Sequence, residues 1–191
     1  FYGTYSEGFN GGGVNTNAVG GVFTSYTGEK LIQIEFGVRS MLFDNNLRLN
    51  ASYFDGTWED IQVGEAIVPG QITQQNAGEA EMSGFEFDAL WTATDNITIN
   101  ASAGWLDTAY TNVGAATTIG LNSNFAFAPD FQASVGGQYV WNQENGSSLT
   151  YRLDYGWTND YVTIQDIRLQ KVQPQYGLLS GRMTYQPVNS D

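Results

Sequence analysis

The segment GFEFDALWTATDNITINASAGW, residues 84–105, carries two alternating patterns with a turn signal between them. Apolar side chains occupy every second position over residues 85–91 and again over residues 97–105. Because successive side chains of a strand point to opposite faces, each pattern predicts a strand with one apolar face. Asp95-Asn96 tolerates the backbone of a tight hairpin turn. The segment therefore predicts two antiparallel strands of about ten residues, the length that crosses a bilayer.

The same alternation recurs along the chain. It is found at residues 32–39, 47–54, 131–141, 149–157 and 179–185, and an aromatic, strand-like run opens the chain at residues 1–8. Together these segments predict about eight antiparallel strands in up-and-down order, so the fold class is all-β.

The connections between these strands are predicted to alternate in length. The short ones are residues 44–46, 94–96 and 142–146, and the long ones are residues 9–28, 63–75, 112–125 and 166–175. A soluble sandwich has no reason to sort its connections in this way. A membrane barrel does, because it has short periplasmic turns at one end and long extracellular loops at the other.

The polar faces of the predicted strands are rich in charge. They carry Arg39, Arg48, Arg152, Arg182, Glu35, Glu86, Asp88 and Asp154. In a soluble sandwich this face would meet bulk water, and in a wide barrel it would line the lumen. The alternation alone allows both arrangements.

Aromatic side chains lie towards both ends of the predicted strands. Trp91 and Trp141 come just before short turns, and Trp105, Tyr110 and Trp157 lie nearer the long connections. Such clustering is typical of the aromatic girdles at the two membrane surfaces. We therefore expect a transmembrane barrel segment rather than a sandwich.

The composition excludes several classes of site. The chain of 191 residues has no Cys and no His, which excludes zinc–thiolate sites, disulfides, cysteine nucleophiles and Ser-His-Asp triads. A formal net charge of −13 repels nucleic acid phosphates, so we expect no nucleic acid partner. We also expect no catalytic residue, no metal site and no cofactor, and hence no enzyme.

Several motifs resemble the barrel of TonB-dependent outer-membrane receptors. They are YSEGFNGGGVN (residues 5–15), NAGEAE (76–81) followed by GFE (84–86), the hairpin around Asp95-Asn96, and YGLLSGRMTYQ (176–186). These motifs lie in the order and at the spacing of the family, and the resemblance extends over the whole chain, residues 1–191.

The resemblance implies a larger fold than this chain can form. Barrels of the family have about 22 strands and hold a separate N-terminal plug. With about eight strands, residues 1–191 are expected to be one partial barrel domain, from the C-terminal part of the barrel. The plug, the TonB box and the remaining strands would then lie outside the chain.

The resemblance also implies a function and partners. We expect a protein of the Gram-negative outer membrane that contacts its lipid and takes up a scarce ligand. The energy would come from the TonB–ExbB–ExbD system, through the missing N-terminal part. Ferric siderophores are the family's commonest ligands, and sugars or cobalamin remain open.

Two other functions remain open on the sequence. A self-contained, eight-stranded outer-membrane barrel could serve as an anchor or adhesin, and it would require the first and last strands to pair. A soluble β-sandwich could serve as a binding module.

Candidate ligand-binding residues lie at the strand ends and on one polar face. They are Glu7, Phe9, Asn10, Arg39, Glu59, Asp60, Tyr110, Phe125 and Tyr161. For the glycine-rich connection after Phe9, the alternative is a solvated, flexible link that touches no ligand. For Arg39 it is pairing within the wall, and for the aromatic residues it is girdle or loop packing.

Overall fold

The structure is a computed structural model that describes residues 1–16, 23–68, 71–114, 118–166, 168 and 170–188. Within these ranges the strands are β1 (Tyr2–Asn10), β2 (Gly13–Val14), β3 (Ser25–Tyr26), β4 (Glu29–Leu42), β5 (Leu47–Glu59), β6 (Gln62–Val68), β7 (Gln71–Asn76), β8 (Gly78–Thr94), β9 (Ile97–Val113), β10 (Phe131–Asn142), β11 (Ser148–Thr158), β12 (Tyr161–Val162), β13 (Val172–Gln173) and β14 (Tyr176–Gln186). None of the residues described belongs to a helix with the length and apolar character that a bilayer crossing requires.

Eight of the strands form one antiparallel sheet in the order β1-β4-β5-β8-β9-β10-β11-β14. Each strand pairs with the next one along the chain within this set, which is the predicted up-and-down arrangement. β1 pairs with β4, β14 pairs with β11, and these two strands form the edges of the sheet. The described residues therefore form an open sheet, and the ring closure that a self-contained small barrel requires is not made.

The two faces of the sheet differ in polarity as predicted. We call the face that carries Phe85, Val135 and Leu153 the outer face, and the face that carries Glu86 and Ser134 the inner face. Large apolar side chains of the outer face are exposed, whereas inner-face residues border a cavity of about 1220 Å³. A sandwich would bury its apolar face in a dry core, so the exposed outer face contradicts the sandwich hypothesis.

An aromatic row crosses the outer face of the sheet. The register places Phe36, Tyr53, Phe85, Trp105 and Phe131 directly opposite one another on five consecutive strands. The ring centroids of Phe85 and Trp105 are 6.0 Å apart, and those of Trp105 and Phe131 are 4.9 Å apart. This row has the composition of an interfacial girdle.

The outer face of β10 is apolar along its whole length. Every outward residue from Phe131 to Trp141 is apolar or glycine. Ten residue steps cover about 34 Å along a strand, or about 26 Å along the membrane normal at a tilt of about 40°. This matches the apolar band of a transmembrane barrel. On neighbouring strands Asp55, Glu81 and Asp107 lie beyond the aromatic row, so the strands continue past the band there.

The inner face pairs much of its own charge. Arg48 contacts Asp88 at 3.7 Å, and Arg152 contacts Asp154 at 2.5 Å. Arg152 also donates to the side-chain oxygen of Asn100 on β9 at 2.9 Å, across the intervening strand β10. Such half-exposed pairs contribute little stability, but each places a positive charge beside a negative one on the wall.

The long connections contain more structure than predicted. The first three sheet-to-sheet links carry the β2–β3 ribbon, the β6–β7 hairpin and an irregular segment, and the fourth carries the β12–β13 ribbon. The third link extends to the start of β10 at Phe131, and the fourth begins after Thr158, well before the predicted residue 166. Residues 17–22 of the predicted glycine-rich loop lie outside the described residues.

One face assignment was wrong. Tyr110 was placed in the outward girdle with Trp105, but it lies on the inner side and is buried. The physical reason is parity, because residues an odd number of positions apart on a strand point to opposite faces. Tyr110 instead belongs to a buried cluster beside the long connections.

Candidate functional site: the loop cap

The long connections form one folded assembly at a single end of the sheet. We call their described residues, in the ranges 11–28, 60–77, 114–130 and 159–175, the loop cap. Its buried cluster consists of Ile61, Val63, Ala77, Ala80, Tyr110, Ile119 and Phe125. Ala80 and Tyr110 come from β8 and β9, so the cluster fixes the cap to the sheet.

Aromatic stacking organises this cluster. The rings of Tyr110 and Phe125 are 4.6 Å apart and nearly parallel, at 11°. Trp58 of β5 stacks on Phe125 at 6.1 Å. Stacked aromatic pairs contribute about 0.5–1.5 kcal/mol beyond the burial of their surface. Phe125 therefore connects the third connection to two different strands.

Side-chain amides join the first connection to the second. The Asn15 side chain donates to the carbonyl oxygen of Gln74 at 2.8 Å and accepts from the Gln74 amide at 2.9 Å. Asn76 does the same with Thr27, accepting from its amide at 2.8 Å and donating to its carbonyl at 3.2 Å. Each asparagine thus replaces the backbone partner that a strand would provide.

We expect Asn76→Ala to loosen the contact between these two connections. The change removes both bonds to Thr27 and a further bond to the carbonyl oxygen of Asp60 at 2.6 Å. Because water can replace exposed bonds, the cost should be about 1–2 kcal/mol, and the Thr27 amide should exchange about 5–30 times faster.

Hydrogen exchange read by mass spectrometry on the protein in lipid would measure this change. Asn122→Ala, at an exposed position of the third connection, is the matched control and should leave exchange at Thr27 unaltered. Equal exchange in the two variants would contradict the role assigned to Asn76.

Further hydrogen bonds join the third connection to the second and to the fourth. The Thr118 amide donates to the Glu65 carboxylate at 2.8 Å, which ties the third connection to the second. The Phe127 amide donates to the carbonyl oxygen of Val162 at 2.8 Å, which ties the third to the fourth. The Gln165 side chain donates to the Tyr110 hydroxyl at 3.1 Å. All four connections are therefore in contact through hydrogen bonds.

Two ionisable groups, one in the cap and one beside it, have strongly shifted pKa values. Hydrogen bonds from Arg168, opposed by burial, lower the pKa of Asp166 from 3.8 to about 2. The ion pair is therefore fully present above pH 3.8 and is lost as the pH falls through about 2. Burial, reinforced by the negative charge of Glu65, raises the pKa of the Tyr110 hydroxyl to about 12. Tyr110 is therefore neutral at physiological pH. It lies three residues beyond Asp107, outside the apolar band of the sheet.

The structure brings some of the predicted ligand-binding residues together in or beside the cap. Asn10 donates to Glu29 at 3.2 Å and to Gln62 at 3.3 Å, at the start of the first connection. The carbonyl oxygen of Asp60 accepts from Asn76, and Phe125 and Tyr110 lie in the buried cluster. The Tyr161 ring lies 6.0 Å from that of Phe127.

The other predicted residues lie elsewhere. By alternation Glu7, Phe9 and Glu59 are on the outer face, where Glu7 contacts Lys30 at 3.1 Å. Arg39 lies on the inner face, with its guanidinium 4.8 Å from the centre of the Tyr2 ring. The ligand-binding roles of all nine residues stay predictions.

The sequence reasoning did not find Asn15, Gln62, Glu65, Asn76 or Asp166. Their partners lie up to 59 residues away, and no periodic pattern marks them. Only Asn76 could have been singled out from the sequence, because it is the first residue of the NAGEAE motif.

Comparison with known proteins agrees with this architecture. The family model described as TonB dependent receptor-like, beta-barrel matches residues 1–190. The ferric yersiniabactin uptake receptor FyuA of Yersinia pestis is similar, with a TM-score of 0.77 and 21% identity over 95% of this chain and 26% of its own. The ferric preacinetobactin receptor BauA of Acinetobacter baumannii has a TM-score of 0.72 and 17% identity over 97% of this chain and 27% of its own. The siderophore receptor PiuA of Acinetobacter baumannii has a TM-score of 0.66 and 23% identity over 84% of this chain and 22% of its own.

At these identities the solved structures show a shared fold, and the chain spans about a quarter of the length of these receptors. The match to the family covers nearly every residue, which confirms the resemblance seen in the motifs. The chain therefore belongs to the TonB-dependent receptor β-barrel family, whose barrels are proteins of the Gram-negative outer membrane.

Proposed function

We propose that this chain forms part of the barrel wall and the extracellular mouth of a receptor that takes up a scarce ligand across the outer membrane. One observation carries the proposal: a sheet with an apolar outer face and a polar inner face bears a folded loop cap at one end only. Such a wall faces lipid on one side and a passage on the other, and the loop cap would form a structured entrance. In the complete receptor, further strands would pair with β1 and β14.

A ferric siderophore is the ligand that we favour. FyuA and BauA, which share this fold, are named as receptors for ferric yersiniabactin and ferric preacinetobactin. The identities are low, so the ligand itself has to be identified by experiment.

Energy for uptake would come from the inner membrane. A complex of TonB, ExbB and ExbD would act through an N-terminal plug and TonB box supplied by the rest of the receptor. The sheet contributes no covalent chemistry to this process, and its part would be to hold the plug and the loop cap.

Uptake of radioactive iron tests this function. Cells that express the complete receptor should accumulate iron from at least one ferric siderophore of a panel, and deletion of the receptor or of TonB should reduce the accumulation about tenfold or more. Uptake that persists without TonB would contradict the proposal. Receptor-dependent growth on cobalamin or on a sugar, without siderophore uptake, would show that the receptor carries that compound and not a ferric siderophore.

A further inference from the structure

We propose that a cavity within the loop cap binds a small organic cation, with an ammonium or guanidinium group and a short apolar body. The cavity has a volume of about 330 Å³ and lies between the β6–β7 hairpin and residues 119–126 and 163–166. None of the described residues that line it also lines the large cavity on the inner face. It is therefore a separate site within the mouth.

The walls of this cavity are largely apolar. Val63, Ile72, Ile119, Ala126 and Ile164 provide the apolar surface. The volume lies at the lower end of the range for small-molecule pockets. Such walls accept a short hydrocarbon body and exclude a large chelate.

Glu65 gives the cavity its charge. Its side chain lines the cavity, and the residue is 3% exposed. One oxygen accepts from the Thr118 amide at 2.8 Å, and the other accepts from the Gln75 side chain. Both donors are neutral, and Glu65 makes no salt bridge within 4.0 Å to another described residue. A carboxylate can accept about four hydrogen bonds, so Glu65 retains acceptor capacity.

The second acid of the cavity is already paired. Asp166 is 8% exposed and accepts from the Arg168 guanidinium at 2.9 and 2.6 Å. The Arg168 guanidinium pairs with Asp166 and also interacts electrostatically with Glu65, so one cation faces two acidic side chains and the formal net charge of the three groups is −1. A buried charge is costly unless it is paired, and a monocationic ligand would provide the partner.

Ile72 marks the entrance to the cavity. It lines the cavity and yet is 69% exposed, so a larger side chain here could close the entrance without entering the buried cluster. Two independent substitutions can therefore test the cavity. A change at Glu65 alters its charge, and a change at Ile72 alters access to it.

Butylammonium and 1-butanol are matched probes because they share an apolar body and differ in charge. The complete receptor in lipid nanodiscs, with labelled isoleucine methyl groups, would be titrated with each. We expect butylammonium to shift the methyl signals of Ile72, Ile119 and Ile164 saturably. We expect 1-butanol to bind at least about tenfold more weakly. Equal binding of the two probes, or no saturable shift, would overturn the proposal.

Glu65→Gln keeps the shape of the side chain and removes its charge, so butylammonium should bind about tenfold weaker. Glu81→Gln, an exposed acid on the outer face, is the control and should bind as the unmodified receptor does. If Glu65→Gln does not fold, Ile72→Trp should abolish the shifts at Ile119 and Ile164 while Glu65 is intact. Unchanged binding in a folded Glu65→Gln or Ile72→Trp variant would also overturn the proposal. Because this readout does not depend on transport, it can fail while the proposed uptake stands.

Discussion

Val135→Arg should prevent the sheet from assembling in the outer membrane, whereas Ser134→Arg should not. Val135 is the third of six outward positions on β10 and is 49% exposed, so it lies near the middle of the apolar band. An arginine facing lipid at the midplane of a barrel costs about 2–4 kcal/mol. This corresponds to a loss of about 30- to 800-fold in the equilibrium for folding.

Ser134 is a matched control because it is the adjacent residue of the same strand. It lies on the inner face, borders the large cavity and contacts the hydroxyl of Ser102 at 2.8 Å. An arginine there can reach water, so its cost should be below about 1 kcal/mol. The readout is the amount of heat-modifiable, folded receptor in outer-membrane fractions. If the two variants assemble equally, or if only Val135→Arg assembles, then the assignment of the two faces is wrong.

The strands and their faces could be predicted from the sequence because they follow from a local rule. Each face of β10 is fixed by the parity of its own residues, without knowledge of its neighbours. The turn at Asp95-Asn96 could be predicted for the same reason, because it depends on which residues tolerate a tight turn.

The register between strands was not predictable to the same degree. The aromatic row from Phe36 to Phe131 depends on four pairings, and a shift of one residue in any of them would disperse it. The outward position of Glu7 and Phe9 also follows from the pairing of β1 with β4. The sequence analysis placed both residues near a strand end and did not assign them to either face of the sheet.

The loop cap could not be predicted because its contacts are long-range and irregular. The Glu65 carboxylate meets the Thr118 amide across 53 residues, and Asn15 meets Gln74 across 59. Neither pair repeats at a strand or helix period. Phe125 was predicted as a candidate ligand-binding residue with loop packing as the alternative, yet its stacking between Trp58 and Tyr110 depends on the folded arrangement of three separate segments.

Phe125→Ala should release the loop cap while leaving the sheet intact. The Phe125 side chain is 8% exposed and stacks on rings from β5 and β9. Removing a buried aromatic ring costs about 3–5 kcal/mol. The eight-stranded sheet is held by its own backbone pairing and by lipid, so this cost should fall on the cap. Leu121→Ala is the control, because Leu121 lies in the same connection but is 55% exposed.

Hydrogen exchange at the base of the cap would measure this release. The Ala77 amide donates to the carbonyl oxygen of Ile61 at 2.7 Å, and the Gly114 amide donates to that of Ala77 at 2.7 Å. Because a cost of about 3 kcal/mol corresponds to about 150-fold, both amides should exchange at least about 150-fold faster in Phe125→Ala and at the original rate in Leu121→Ala. Faster exchange at both would show that the second and third connections open as one unit, because the Ala77 amide lies in the second connection and Phe125 lies in the third. Faster exchange confined to residues 118–128 would show instead that each connection is held independently, and that the entrance is a set of separate loops.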